Sequence, residues 1–357
     1  MTKLKSDLKI EDIQSYEEVI EYLTKNNRKK HLLMGNGFSI AYDSKIFSYN
    51  ALYDFIAELN DPVLSKLFEV INTKNFELIM QQLDNFIEIS TALSSDKELA
   101  VKLTHASKLL QNSLIDAISK LHLEHVFNIP DEKSVSCFSF LSEFLDNEGM
   151  VFSTNYDLLL YWVLMRNESK KAIDGFGRDL LNPDEVKLGA DQDWSDLYWG
   201  KNKEEQSVFH LHGTLPIFDN GVDIEKEVYR NQAYLLTNIK ERLNKKEYPI
   251  FVTAGSGNEK LQHIMHNKYL TFCYDNFCSI EGSLISFGFN FGEYDEHIIE
   301  AINKASKYGA RAGDKLLSIY IGVFSQADLD HIKSIESKFK CKVNVYDSKT
   351  ANIWNKL

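Results

Sequence analysis

A few short stretches of the chain concentrate side chains able to do chemistry. Gly35-Asn36-Gly37-Phe38-Ser39 follows an apolar run. Glycines there let backbone approach a phosphate closely, and a following helix N-terminus adds free N–H groups. The pattern is neither a full GxGxxG nor a P-loop, so a plain tight turn is the competing reading. Ser153-Thr154-Asn155-Tyr156-Asp157 follows Met150-Val151-Phe152. Its polar groups could face a shared pocket, or Asn155 and Asp157 could simply cap a helix. In Phe209-His210-Leu211-His212-Gly213, strand alternation puts both histidines on one face. His210, the deeper, reads as a packed core residue, and His212, at the mouth, as the acid/base candidate. A His-x-His metal pair is the rival reading, but no third ligand stands at a telling spacing. Ser286-Phe287-Gly288-Phe289-Asn290, running on to Asp295-Glu296-His297, suits ribose or phosphate recognition by Gly288, Asn290 and Asp295; alternatively Asp295 caps a helix. Thr253-Ala254-Gly255-Ser256-Gly257 is one more small-residue loop. Each loop is unremarkable alone; their succession at strand ends is the signal.

Something must hold these loops together. MVFSTNYD, SVFHLHG, PIFVTAGSG, SLISFGFN, LLSIYIG and KVNVYD each read as a buried strand leaving a sheet at its C-terminal end, and HLLMGNGFS as a strand, glycine turn and helix start. Helical stretches such as LLLYWVLM, KLQHIMHNKYLTFCYDNF and DEHIIEAINKASKYG alternate with them. That alternation predicts an α/β fold: a Rossmann-like parallel sheet with helices on both faces. Ligands of such sheets bind beyond the strand C-termini. Residues 51–128 carry 3.6-period apolar faces and are expected as a helical insertion between the first and second strands. Residues 168–206 are polar, contain Gly175, Gly177, Pro183 and Gly189, and are expected as an irregular excursion. Residues 1–357 are read as one domain with no internal repeat.

Composition narrows the function classes. The 357 residues are 44% hydrophobic and 26% charged, enough for a large core and too apolar for disorder. Lys+Arg 40 against Asp+Glu 52 gives a net charge of -12, which disfavours a broad nucleic-acid surface. With six Arg in the chain, a pyrophosphate would lean on backbone N–H groups more than on guanidinium clamps. Cys137, Cys273, Cys278 and Cys341 form no CxxC pair and fit reduced thiols. The start MTKLKSDLKIED turns acidic before any apolar h-region. No run of about 18 apolar residues occurs. A soluble cytoplasmic protein is the expectation.

Laid in chain order, GNGFSI, VFSTNYDLLLYW, FHLHGTL and FGFNFGEYDEHI resemble the sirtuin-like (SIR2-like) NAD-binding family. More narrowly they are similar to a bacterial, DUF4917-like branch associated with anti-phage defence, over residues 31 to 325 or so. The resemblance implies that Gly35, Gly37 and Ser39, with Asn36 and Phe38 between them, match a phosphate-binding loop. It implies that Asn155 positions the reacting ribose or water, with Thr154 beside it and Asp157 facing the nicotinamide side. His212, preceding Gly213, matches the base acting on a ribose hydroxyl. Gly288 and Asn290 fall near the adenosine ribose, Asn replacing the usual Ser or Thr, and Gly255, Ser256 and Asp295 complete the expected cofactor-binding set. Sirtuin deacylases also carry a zinc module of two Cys-x-x-Cys pairs, which this chain lacks. The implied activity therefore moves from deacylation to NAD⁺ hydrolysis, with NAD as substrate and no metal. The implied setting is abortive infection: an effector held inactive until triggered, as a homo-oligomer or with a sensor subunit. By its location alone, the helical region 51–128 is the expected surface for oligomerisation or a partner. The alternative is a non-catalytic subunit binding NAD, ADP-ribose or another nucleotide.

Overall fold

A strand covered by helices on both faces must be apolar along its whole length, and the computed structural model places the short apolar runs accordingly. It describes residues 4–5, 7–44, 62–71, 76–93, 97–121, 126–181, 193–228, 234–252, 256–307 and 315–355. The strands in chain order are β1 (Gln14–Ser15), β2 (Lys30–Met34), β3 (Val151–Ser153), β4 (Phe176–Gly177), β5 (Leu197–Trp199), β6 (Val208–His210), β7 (Gly213–Asp219), β8 (Ile224–Lys226), β9 (Pro249–Phe251), β10 (Gly282–Phe287), β11 (Leu316–Val323) and β12 (Lys342–Asp347).

Seven of them form a parallel sheet in the order β1-β12-β11-β10-β2-β3-β6. Counted from β2 as the first strand and leaving β1 aside at its edge, this is the doubly wound order 3-2-1-4-5-6. Every residue of β2, β3 and β10 is buried. Alternation sorts their side chains between two cores. Leu32, Met34, Val151, Ile285 and Phe287 join the helices Tyr16–Lys25, Asp131–Leu145 and Leu159–Arg166 on one face. Leu33, Phe152, Phe209 and Leu284 join Gly257–His266, Lys268–Phe277, Glu296–Lys307 and Gln326–Ile335 on the other. The expected Rossmann-like α/β class is the class observed.

Helices Pro62–Ile71, Phe76–Leu93 and Lys97–Leu121 stand between β2 and β3, as the helical insertion requires; residues 51–61, 72–75, 94–96 and 122–125 of that stretch lie outside the described residues. Among the described residues no helix is long and apolar enough to cross a membrane.

A second sheet was not expected. Five antiparallel strands run in the order β4-β5-β8-β7-β9. The stretch 168–206 is therefore not wholly irregular, since it supplies β4 and β5. PIFVTAGSG does not join the parallel sheet either: Pro249–Phe251 pairs with β7. A three-residue apolar run looks the same in either sheet. What decides is the bend after β6, where Gly213 takes φ +76 and turns the chain out of the parallel sheet. A Cβ there would strike the Ile250 carbonyl oxygen, so the His-Gly pair has a structural reason for its glycine.

Candidate functional site

The order of the parallel sheet makes β2 and β10 neighbours whose chains depart in opposite directions, which opens a crevice at their C-terminal ends. The glycine loops meet there. Gly35 donates its amide to the Phe287 carbonyl at 3.0 Å and Gly37 donates to Gly288 at 2.8 Å. A Cβ on Gly37 would sit 2.5 Å from the Gly288 Cα, so these glycines let two loops touch. The Phe38 and Ser39 amides donate within the turn, to Gly35 and Asn36. A phosphate bound through any of those four amides would displace the bond it now makes. Asn36 is half-buried, and its Nδ2 is buried without a partner.

Beside this loop, the ends of β2 and β3 build a compact polar cluster. Thr154 donates both its amide (3.0 Å) and its hydroxyl (3.2 Å) to the Met34 carbonyl, fixing one loop against the other. Asn155 Nδ2 donates to Ser39 Oγ at 3.0 Å, and Ser39 donates onward to Asp157 Oδ2 at 2.5 Å. The other Asp157 oxygen accepts the Leu159 amide at 2.9 Å, at the start of helix Leu159–Arg166. One Asp157 oxygen thus serves the start of the helix, as the capping reading asks, and the other is held in the side-chain cluster. Burial pushes the Asp157 carboxyl up from its usual range, while its bonds from Ser39 and Leu159 pull the other way. Asn155 Oδ1 is buried and has no partner.

A second cluster lies across the crevice. His212 Nε2 lies 2.8 Å from His297 Nε2, with the rings 5.1 Å apart and tilted by 28°. Each residue is 1% exposed. Burial holds both below the ordinary histidine value, His297 down to about 3, and the nearby Lys260 ammonium adds to both shifts. At neutral pH two uncharged rings therefore share one Nε2 proton. Lys260 donates to Asp295 Oδ1 at 2.8 Å. His212, Asp295 and His297 each present a ligand atom within 4.8 Å of the others, the donor set of a two-histidine, one-carboxylate metal centre. Lys260 weighs against a metal there: its ammonium already supplies positive charge to Asp295, and a second cation beside it is repelled.

Tyr156 joins the two clusters. It sits between Asn155 and Asp157 in sequence, and its ring stacks on His212 with centroids 6.5 Å apart. Its carbonyl accepts the Leu215 amide and the Thr214 hydroxyl, both at 3.0 Å, so the loop after β3 is tied to the strand that follows His212 and Gly213.

Among the described residues, the side chains of Asn290 and Ser256 make no hydrogen bond to either cluster. Asn290 is exposed, between Phe289 and Phe291, whose buried rings meet at 4.8 Å. Ser256 forms a capping box with Glu259 at the head of Gly257–His266, and Gly255 lies outside the described residues. His210 is buried away from both clusters, in the wall of a separate cavity. Three contributors escaped sequence reasoning: His297, Lys260 and Tyr156. His297 carried the one usable signal, an imidazole two residues after Asp295 at a helix start.

The chain belongs to the family described as Domain of unknown function (DUF4917), whose model matches residues 32–354. No curated protein matches it.

Proposed function

We propose that this chain is a sirtuin-like NAD⁺ hydrolase that cleaves the nicotinamide–ribose bond, held inactive until triggered, in bacterial anti-phage defence. One observation carries the reading. Around the switch point of a 3-2-1-4-5-6 sheet stand an amide, a carboxylate and an imidazole pair, with buried polar atoms left over: Asn155 Oδ1, Asn36 Nδ2 and His297 Nδ1. Buried polar atoms are nearly always paired, so unpaired ones gathered at a ligand crevice favour a polar ligand.

The chemistry asks little of an acid. The C–N bond breaks with both electrons on nicotinamide, which leaves neutral, and positive charge develops on the ribose as in glycoside cleavage. Asp157 offers that charge a carboxylate fixed by Ser39 and Leu159. Asn155 Oδ1 can accept a hydrogen bond from the attacking water. His212, neutral at pH 7, takes the proton released from a ribose hydroxyl or from that water. The near-complete burial of His212 and His297 fits an enzyme closed at rest. Val70, Leu93 and Val101, 68%, 83% and 66% exposed on the inserted helices, support an oligomeric or sensor interface there.

The second reading is a non-catalytic subunit binding NAD or ADP-ribose. It is favoured by the His212–His297 contact, which turns the candidate base toward a protein partner. One experiment separates the two: NAD⁺ incubated with the protein and its co-purified partners, with nicotinamide and ADP-ribose followed by chromatography. Asn155→Ala and His212→Ala are each expected to lower turnover by roughly 10²–10⁴-fold. Equal turnover by all three proteins removes the site, and calorimetric NAD⁺ binding without cleavage supports the binding subunit.

A further inference from the structure

Away from the crevice, a cavity of about 450 Å³ lies between β6, the helix Leu159–Arg166 and the antiparallel sheet. Its size is ordinary for a small-molecule pocket. The inner wall is aliphatic, from Leu160, Leu164, Val208 and Ile217. Asp174 and Lys226 both line it and pair with each other, and the Lys226 ammonium sits 4.5 Å over the Tyr161 ring. Those two charges are therefore already matched. His210 is 7% exposed in the wall, with its Nδ1 buried and unpartnered. Burial lowers it to about 4, so it is an uncharged donor and acceptor at pH 7.

Two charged side chains remain, Glu168 and Arg178, both exposed on the lining, and no ion pair joins either to another described residue. An aliphatic interior, one unused acid and one unused base describe a ligand with an apolar body and both charges. We infer that this cavity binds a small zwitterion with an apolar side chain, the chemistry of a free α-amino acid with an aromatic or branched side chain. Arg178 takes the carboxylate, for which a guanidinium fork is suited, Glu168 takes the ammonium, and the aliphatic wall takes the side chain. The site is independent of the NAD reading. It is nevertheless close to the crevice, because Thr214 lines the cavity and its hydroxyl holds the Tyr156 carbonyl.

Calorimetry on the full chain tests this with L-phenylalanine, L-leucine, 3-phenylpropanoate and 2-phenylethylamine, with no NAD⁺ present. One of the amino acids is expected to bind with one site per chain. Each single-charge analogue of phenylalanine should bind about 10-fold more weakly or worse, one charge-assisted contact being lost. Arg178→Gln should erase the preference for phenylalanine over phenylethylamine, and Glu168→Gln the preference over phenylpropanoate. Leu164→Trp should abolish binding; Met165→Trp, on the exposed side of the same helix, repeats the test should the first variant fail to fold. Equal binding of all the probes, binding indifferent to the tryptophan that fills the cavity, or no heat with either amino acid at millimolar concentration would overturn the proposal.

Discussion

Ser39, Asn155 and Asp157 form a chain of hydrogen bonds across two adjacent strand ends, whereas His212 and His297 meet as two uncharged rings beside an ion pair. The first cluster is local to the sheet. Once β2 pairs with β3, Thr154 is held on Met34 and the three side chains have little room to move. The second needs His212 from beyond β6, His297 from the helix after β10 and Lys260 from Gly257–His266. Burial acts on them in opposite senses of charge. It penalises the carboxylate of Asp157 and the imidazolium of either histidine, so each cluster tends toward neutrality by a different route. On the proposed activity, the difference suits the two clusters to different roles. The first cluster can stabilise positive charge on a ligand, and the second can receive a proton.

The largest effect should come from removing the charge of the first cluster. Asp157→Asn keeps the size and the Leu159 cap but leaves no carboxylate to face a developing cation. NAD⁺ cleavage should fall by roughly 10²–10⁴-fold, measured as nicotinamide release, with the circular dichroism spectrum unchanged. Retained activity would mean that the two clusters do not divide the chemistry as described.

The pH dependence of stability separates them next. His297 is held at about 3, with His31 at about 3 and His210 at about 4, and His212 is also lowered. Unfolding returns each to about 6.5. Between those values the unfolded chain binds more protons, so stability is lost as pH falls, by up to about 1.4 kcal/mol per pH unit for each fully titrating histidine. Asp157 has the opposite sign: its raised value makes the folded chain bind the extra proton, so its contribution grows as pH falls. Melting temperatures between about pH 5 and pH 7 should therefore decline steeply toward acid in the wild type. The decline should be shallower in His212→Gln/His297→Gln and steeper in Asp157→Asn. Parallel curves would refute the opposed electrostatics.

The same contrast explains what could be read from the amino acids. Alternating helices and unbroken apolar runs announced the parallel sheet, since a strand buried on both faces has no polar side to show. Asn155, Asp157 and Ser39 stood out because each follows such a run directly. The antiparallel sheet was hidden, because β4 and β5 are two and three residues long and find their partners only after Gly213 has turned the chain. Lys260 was hidden for another reason: a lysine in a polar helix has the signature of a solvated one. Only the packing of Gly257–His266 against Glu296–Lys307 puts it on Asp295. Glycines 35 and 37 were legible as a tight approach of backbone, but the sequence could not say that the approaching group includes another loop.

The smallest expected effect concerns how the imidazole pair is held. His297 touches His212 through the very nitrogen, Nε2, that a base would use, so in the proposed hydrolase His297 would be a positioning residue that sets which ring carries the shared proton. His297→Ala should lower NAD⁺ turnover by only about 10-fold, because the base itself remains. His297→Gln should recover much of that loss, since an amide can still meet the ring nitrogen. The pH profile distinguishes positioning from mere packing. Removing a neighbouring imidazole removes one cause of the lowered His212 value, so that value rises toward the ordinary one. The acid limb of the profile, where His212 gains its proton and stops acting as a base, should then move to higher pH in His297→Ala. A profile that falls in height without moving would make His297 a filler of space, and the second cluster would reduce to His212 alone.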